Sequence, residues 1–164
     1  MRLKAVLLIF LIVAFLDSCT TFKPLIGKHR QLVGVFNANY SGKTFEGFFS
    51  IADQDMRLDV VNSLGFSAYG VYVKKGDVYL IDYSTGRRYE NLTFGGMNLN
   101  GYKKILVSLV DNFYTLCKTK HKNIFILRCM HLKDYYLPVD FILFDRNKRM
   151  RIHIKKLKFK ENKQ

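Results

Sequence analysis

Few residues of this chain are spaced for catalysis or metal binding. It carries three cysteines, Cys19, Cys117 and Cys129, and four histidines, His29, His121, His131 and His153. No set of them has the paired spacing of a zinc site. Cys117 and His121 lie four apart with Asp111 nearby, which at a helix end would bring a thiol close to a base. No motif that would supply an orienting third group or an oxyanion hole accompanies them. Asp53, Asp55 and Asp59 fall on a turn and a strand, where solvated carboxylates are common. Gly95-Gly96 lacks the flanking Lys/Ser and the strand–helix context of a phosphate loop. These residues point away from an enzyme and call for no cofactor and no metal.

The remaining chemistry is a covalent modification. The chain opens with a basic segment, Arg2 and Lys4, followed by twelve apolar residues over 5–16. That run is too short to span a bilayer and suits the apolar core of a signal peptide. Leu16-Asp17-Ser18-Cys19 then matches the cleavage site of a bacterial lipoprotein. Residues 1–18 are expected to be removed and Cys19 to be acylated as the first mature residue. The alternatives are an uncleaved anchor and an ordinary secretory signal with an unrelated cysteine. Thr20, where an Asp would favour retention in the inner membrane, points to the outer membrane. Cys117 and Cys129 would then sit in a compartment that permits disulfides. A bridge between them and two separately buried thiols both fit the spacing.

One further stretch stands out by being misplaced. Asn62-Ser63-Leu64-Gly65-Phe66 lies between two strand-like runs, where a hairpin tip normally carries polar turn formers. Leaving one such apolar side chain in water forfeits about 1.5–3 kcal/mol of burial. Leu64 and Phe66, with Gly65 between them, therefore either fold back into the core or meet something apolar outside it.

The elements that must position these residues follow from periodicity. After a tether over 19–31, alternation at period two predicts strands over 32–40, 44–52, 56–61, 68–73, 78–83 and 87–91. Their connections are short and turn-like, as in an antiparallel meander. Gly95-Gly96 breaks the pattern. Residues 99–117 then show helical spacing, with Ile105, Leu106, Leu109, Val110 and Phe113 on one face. Three more strands are predicted over 124–130, 135–144 and 149–159, the last with a bulge at Lys155-Lys156. The sum is α+β: about nine or more antiparallel strands and a strongly apolar helix. Such a helix could lie as a lid over a concave apolar face, hinged on Gly95-Gly96, or serve as ordinary core. Phe36, Phe49, Leu58, Val60, Ile105, Leu109 and Phe113 are the candidates to line that interior.

Charge adds a constraint on partners. The formal net charge of +14 becomes +13 once Arg2, Lys4 and Asp17 leave with the signal segment. Residues 146–164 alone hold nine Lys/Arg against one acid. Export and the lack of a nucleic-acid motif argue against nucleic acid. Anionic headgroups or an acidic protein remain, with Arg149, Arg151 and Lys155 as the candidate contact surface.

The central stretch resembles the LolB family of outer-membrane lipoprotein insertases. The family's Asn-Pro-Leu-Gly loop is matched by Asn62-Ser63-Leu64-Gly65. Its later aspartate and Gly-x-Arg-Tyr segment is matched by Leu80-Ile81-Asp82-Tyr83-Ser84-Thr85-Gly86-Arg87-Arg88-Tyr89. Leu137-Pro138 before a strand and the basic final strand continue the likeness, which covers roughly residues 30–160. The resemblance implies an incomplete antiparallel β-barrel with a helical lid over an apolar cavity at 32–160, followed by a basic tail at 161–164. It further implies a monomer that takes acylated lipoproteins from a LolA-type periplasmic carrier. Their acyl chains would be released into the inner leaflet of the outer membrane, with Leu64 touching the bilayer and Cys19 as the anchor. A lipoprotein binding phospholipid or glycolipid on the same scaffold, and a structural surface lipoprotein, are the rival expectations.

Overall fold

The computed structural model describes residues 30–161; the expected signal segment, Cys19, His29 and residues 162–164 lie outside that range, while Arg30 and Gln31 of the expected tether fall in the first strand and Glu161 of the expected tail in the last. The chain begins with β1 (Arg30–Tyr40), β2 (Lys43–Ala52), β3 (Asp55–Val61), β4 (Ser67–Lys74), β5 (Asp77–Asp82) and β6 (Arg87–Tyr89). A two-stranded hairpin follows, β7 (Thr93–Phe94) and β8 (Met97–Asn98). A 3-10 turn, Asn100–Tyr102, leads into helix α1 (Lys103–Asn112), and the chain ends with β9 (Ile124–Leu132), β10 (Tyr135–Asp145) and β11 (Lys148–Glu161).

Nine strands form one sheet in the order β6-β5-β4-β3-β2-β1-β11-β10-β9, every pair antiparallel. The meander therefore holds through β6, and the last three strands extend it from the other side of β1. The expected bulge is present: Val35 pairs with Lys156 and Phe36 with Ile154, leaving Lys155 as the extra residue. The extra residue keeps Ile152, Ile154, Leu157 and Phe159 toward the apolar side although the spacing between them changes phase.

The sheet is open, since β6 and β9 are its two edges. It is nonetheless strongly curled. Val71 on β4 and Phe141 on β10 line the same small void. Five strand positions separate them, about 24 Å on a flat sheet. The inner face wraps around α1, which buries Ile105, Leu106, Leu109 and Val110. Aromatic rings close the seams: Phe49 meets Phe113 at 6.4 Å, Tyr40 meets Tyr102 at 5.9 Å, and Tyr135 touches Tyr114 at 5.2 Å and Phe159 at 5.4 Å.

The helix is shorter than its apolar pattern. It ends at Asn112, whose side-chain amide donates to the Ser108 carbonyl at 2.8 Å, and the chain continues in turns. Phe113 and Leu116 remain buried all the same. The expected run over 99–117 is thus a 3-10 turn, a ten-residue helix and a turn segment that share one apolar side.

Candidate functional site

The β3–β4 tip closes on itself. The Asn62 Oδ1 accepts the Leu64 and Phe66 N–H groups, both at 3.0 Å. The Asn62 N–H donates to the Phe66 carbonyl and the Gly65 N–H to the Asn62 carbonyl, both at 2.9 Å. Gly65 sits at φ +82°, a left-handed conformation that a side chain disfavours. With its polar groups satisfied internally, the loop holds Leu64 and Phe66 outward, 78% and 69% exposed. No other large apolar side chains among the described residues are so exposed. The tip is not folded back into the core.

The interior tells a different story from the expected cavity. An apolar void of about 50 Å³ lies between sheet and helix. Phe36, Phe49, Leu58, Val60, Leu109 and Phe113 line it, and Ile105 is buried elsewhere in the core. Drug-sized ligand pockets run from about 300 to 1,000 Å³. A lid over an open cavity is therefore not seen; the helix fills the space it was expected to cover.

The segment that carries α1 is held at both ends. Before the helix, Lys43 Nζ donates to the Gly95 and Gly96 carbonyls at 3.2 and 3.4 Å, and the Tyr40 hydroxyl donates to the Asn98 carbonyl at 3.2 Å. Gly95-Gly96 forms the β7–β8 turn, so the expected hinge is a built turn. The Leu92 N–H donates to Asn100 Oδ1 at 2.8 Å. After the helix, a Cys117–Cys129 disulfide ties the turn segment to β9, with Cα atoms 6.3 Å apart. That bridge settles the two cysteines, and it leaves no thiol for chemistry with His121, which instead bonds Thr119 at 2.8 Å. Burial beside Tyr40 pushes the Tyr102 hydroxyl up to about 12 and keeps this wall neutral.

The outer face is polar and basic. Arg151 grips Asp140 through two hydrogen bonds of 3.0 and 2.8 Å, with His153 Nδ1 at 3.5 Å from the same carboxylate. The Arg151 guanidinium, and secondarily His153, hold that carboxyl below its usual range. Lys155 stands apart, paired with Glu46 at 3.3 Å. Arg149 and Arg151 instead share a concavity of about 630 Å³ with Asn39, Ser41, Gly42 and Lys148. Of the three expected basic residues, Arg151 and Lys155 are therefore each paired with a carboxylate, and Arg149 shares the concavity with Arg151.

No protein-family model matches the chain, and no curated protein matches it. Among solved structures it is similar to a DUF1329 family protein from Desulfovibrio piger. The two share a TM-score of 0.50 at 9% identity, over 85% of this chain and 89% of that chain. At that identity the likeness is one of fold alone.

Among the described residues, no group of three or more His, Cys, Asp or Glu is placed to hold a metal ion, and no helix is long and apolar enough to cross a membrane. Two features escaped sequence reasoning. The first is the concavity, whose members Asn39 and Arg151 meet only through β1–β11 pairing. The second is an apolar strip at the β9 edge, where Phe125 and Leu127 are 58% and 46% exposed. The contiguous apolar run Ile124-Phe125-Ile126-Leu127 was the signal for the second, since a strand puts alternate residues on opposite faces.

Proposed function

We propose that this chain is a lipid-anchored protein of the outer membrane that receives acylated lipoproteins from a LolA-type periplasmic carrier and passes them to the inner leaflet. The observation that carries the reading is the Leu64/Phe66 tip: two large apolar side chains held in water by a loop that satisfies its own backbone. Burying them in a bilayer would recover about 1.5–3 kcal/mol each. The lipoprotein cleavage motif before Cys19, the curled antiparallel sheet and the predominantly apolar interior support it. In this reading the curled sheet is an incomplete barrel and α1 its lid, closed over a nearly filled interior and displaced by incoming acyl chains.

The packed interior favours a second reading, a structural surface lipoprotein that uses the same tip for membrane contact but carries no cargo. Delivery by a Leu64→Glu variant separates them. The variant should take up a radiolabelled triacylated lipoprotein from the carrier and fail to release it to vesicles. Absence of uptake by the wild-type chain would favour the structural reading. Normal delivery by Leu64→Glu would remove the tip from the mechanism.

A further inference from the structure

The concavity on the outer face stands at the same end of the sheet as the tip. β1 and β3 run in the same direction, so the Ser41–Gly42 turn, the 62–66 loop and the turn joining β10 to β11 all emerge from one end. Three strand spacings separate β3 from β11, about 14 Å along the sheet. Arg151 pairs with Asn39 on one side and Ile142 on the other, and both line the concavity with it. None of the lining residues is acidic. Lys148 and Arg149 make no ion pair or side-chain hydrogen bond among the described residues, so their charge is available. Asn39, Ser41 and Asn147 add neutral donors beside the cations. This is the mixture that binds phosphate oxygens.

Asp140 already pairs with Arg151, so the charge on offer is that of Lys148 and Arg149, and the flank beside them is apolar. Arg149 pairs with Phe144, 37% exposed, and Ile142 pairs with Phe125, 58% exposed. A cationic pocket with an apolar flank fits an amphiphile better than an acidic peptide, which would leave the flank in water. We propose that the concavity formed by Asn39, Gly42, Lys148, Arg149 and Arg151 binds the phosphate of an anionic phospholipid headgroup, next to the membrane-contacting tip. The inference rests on the reading that this end of the sheet meets a bilayer. It gives the protein two contacts with the leaflet, an apolar wedge and a headgroup clamp, and so fixes its orientation.

The test reconstitutes the full chain in phosphatidylcholine vesicles with increasing phosphatidylglycerol and follows amide hydrogen exchange. Exchange at 41–43 and 146–149 should slow as phosphatidylglycerol is added. In Lys148→Gln/Arg149→Gln the protection gained at a given phosphatidylglycerol content should fall about 30-fold, two headgroup charges' worth. Lys148→Arg/Arg149→Lys should restore it, with core amides unchanged in both variants. Protection that ignores phosphatidylglycerol would overturn the site. Equal protection by inorganic phosphate over pure phosphatidylcholine would make it a free-phosphate site, and equal protection by polyglutamate an acidic-protein site; either refutes the headgroup. The tip reports separately. Unprotected amides at 64–66 with protected turns would retire the tip and leave the headgroup site standing.

Discussion

The disulfide is the strongest covalent statement the fold makes about how α1 is held. Cys117 and Cys129 close a loop of twelve residues' separation. Loop-closure entropy for that length corresponds to about 3 kcal/mol at 25 °C, gained by restricting the unfolded chain. The double variant Cys117→Ser/Cys129→Ser should lose about that much, read as a lower denaturant midpoint with a slightly steeper slope, because the freed chain exposes more surface on unfolding. For a domain of this size the melting temperature should fall by roughly 6–12 °C. Reductant should lower the wild-type midpoint to the variant's and leave the variant where it is. Exchange should quicken first at 113–119 and along β9, because the bridge joins only those two segments. A loss below about 1 kcal/mol would refute the reasoning. The loop would then be ordered already in the denatured chain, and the bridge would not be what pins the end of the helix segment.

Three other perturbations probe separate parts of the structure. A Cβ on Gly47 would collide with the Asp59 carbonyl oxygen across the β2–β3 ladder. Gly47→Ala should therefore cost about 1–3 kcal/mol in chemical denaturation. Asn62→Ala removes the acceptor that holds the Leu64 and Phe66 amides, a net loss of about 1 kcal/mol. Exchange at 64–66 should rise about fivefold with the core unchanged. The carboxyl of Asp140 is held below its usual range by Arg151, so it binds protons less readily folded than unfolded. The stability it contributes is present above the ordinary carboxylate pKa and lost as pH falls through the lower folded value. Denaturant midpoints taken from about pH 5 down to pH 2 should show a shallower acid decline in Arg151→Gln than in the wild type.

Strands were the legible part of this chain because half-buried strands write their faces at every second residue. Phe45, Gly47, Phe49 and Ile51 alternate on β2, and the phase change at Lys155 announced the bulge. The helix was overextended for a related reason. Phe113 and Leu116 continue the apolar spacing of Ile105 and Leu109, yet spacing records only which side is buried. A turn segment that stays against the sheet satisfies it as well as a helix does. What sequence could not carry was long-range geometry. The spacing of Cys117 and Cys129 was compatible with a bridge or with none, and only the positions of β9 and the turn after α1 decide it. Asn39 and Arg151 are far apart in sequence and adjacent on the sheet, so the basic residues of β11 read as a single row although Lys155 is neutralised by Glu46. The tip was the opposite case. Its Asn and Gly signalled a turn, and its Leu and Phe signalled that the turn had a second use.

The filled interior bears on what guest such a scaffold could take. Lifting α1 would uncover Ile105, Leu106, Leu109, Val110 and Phe113, a cost of about 10 kcal/mol if none were re-covered. An acyl chain returns about 0.8 kcal/mol for each buried methylene. A single chain of about a dozen methylenes would balance the cost, and a second or third would exceed it. Short-chain amphiphiles would leave the interior shut, whereas a triacylated protein brings enough apolar surface to open it. The disulfide and the Lys43 contacts hold the segment at both ends, so the opening would be a rolling or repacking of the helix within its fixed span. That coupling is a reason for a transfer protein to keep a closed core. In such a cycle the apolar lining would stay covered whenever no long acyl chain replaced the helix, and among the described residues the large apolar groups most exposed to the outside are Leu64 and Phe66 at the tip and Phe125 at the β9 edge.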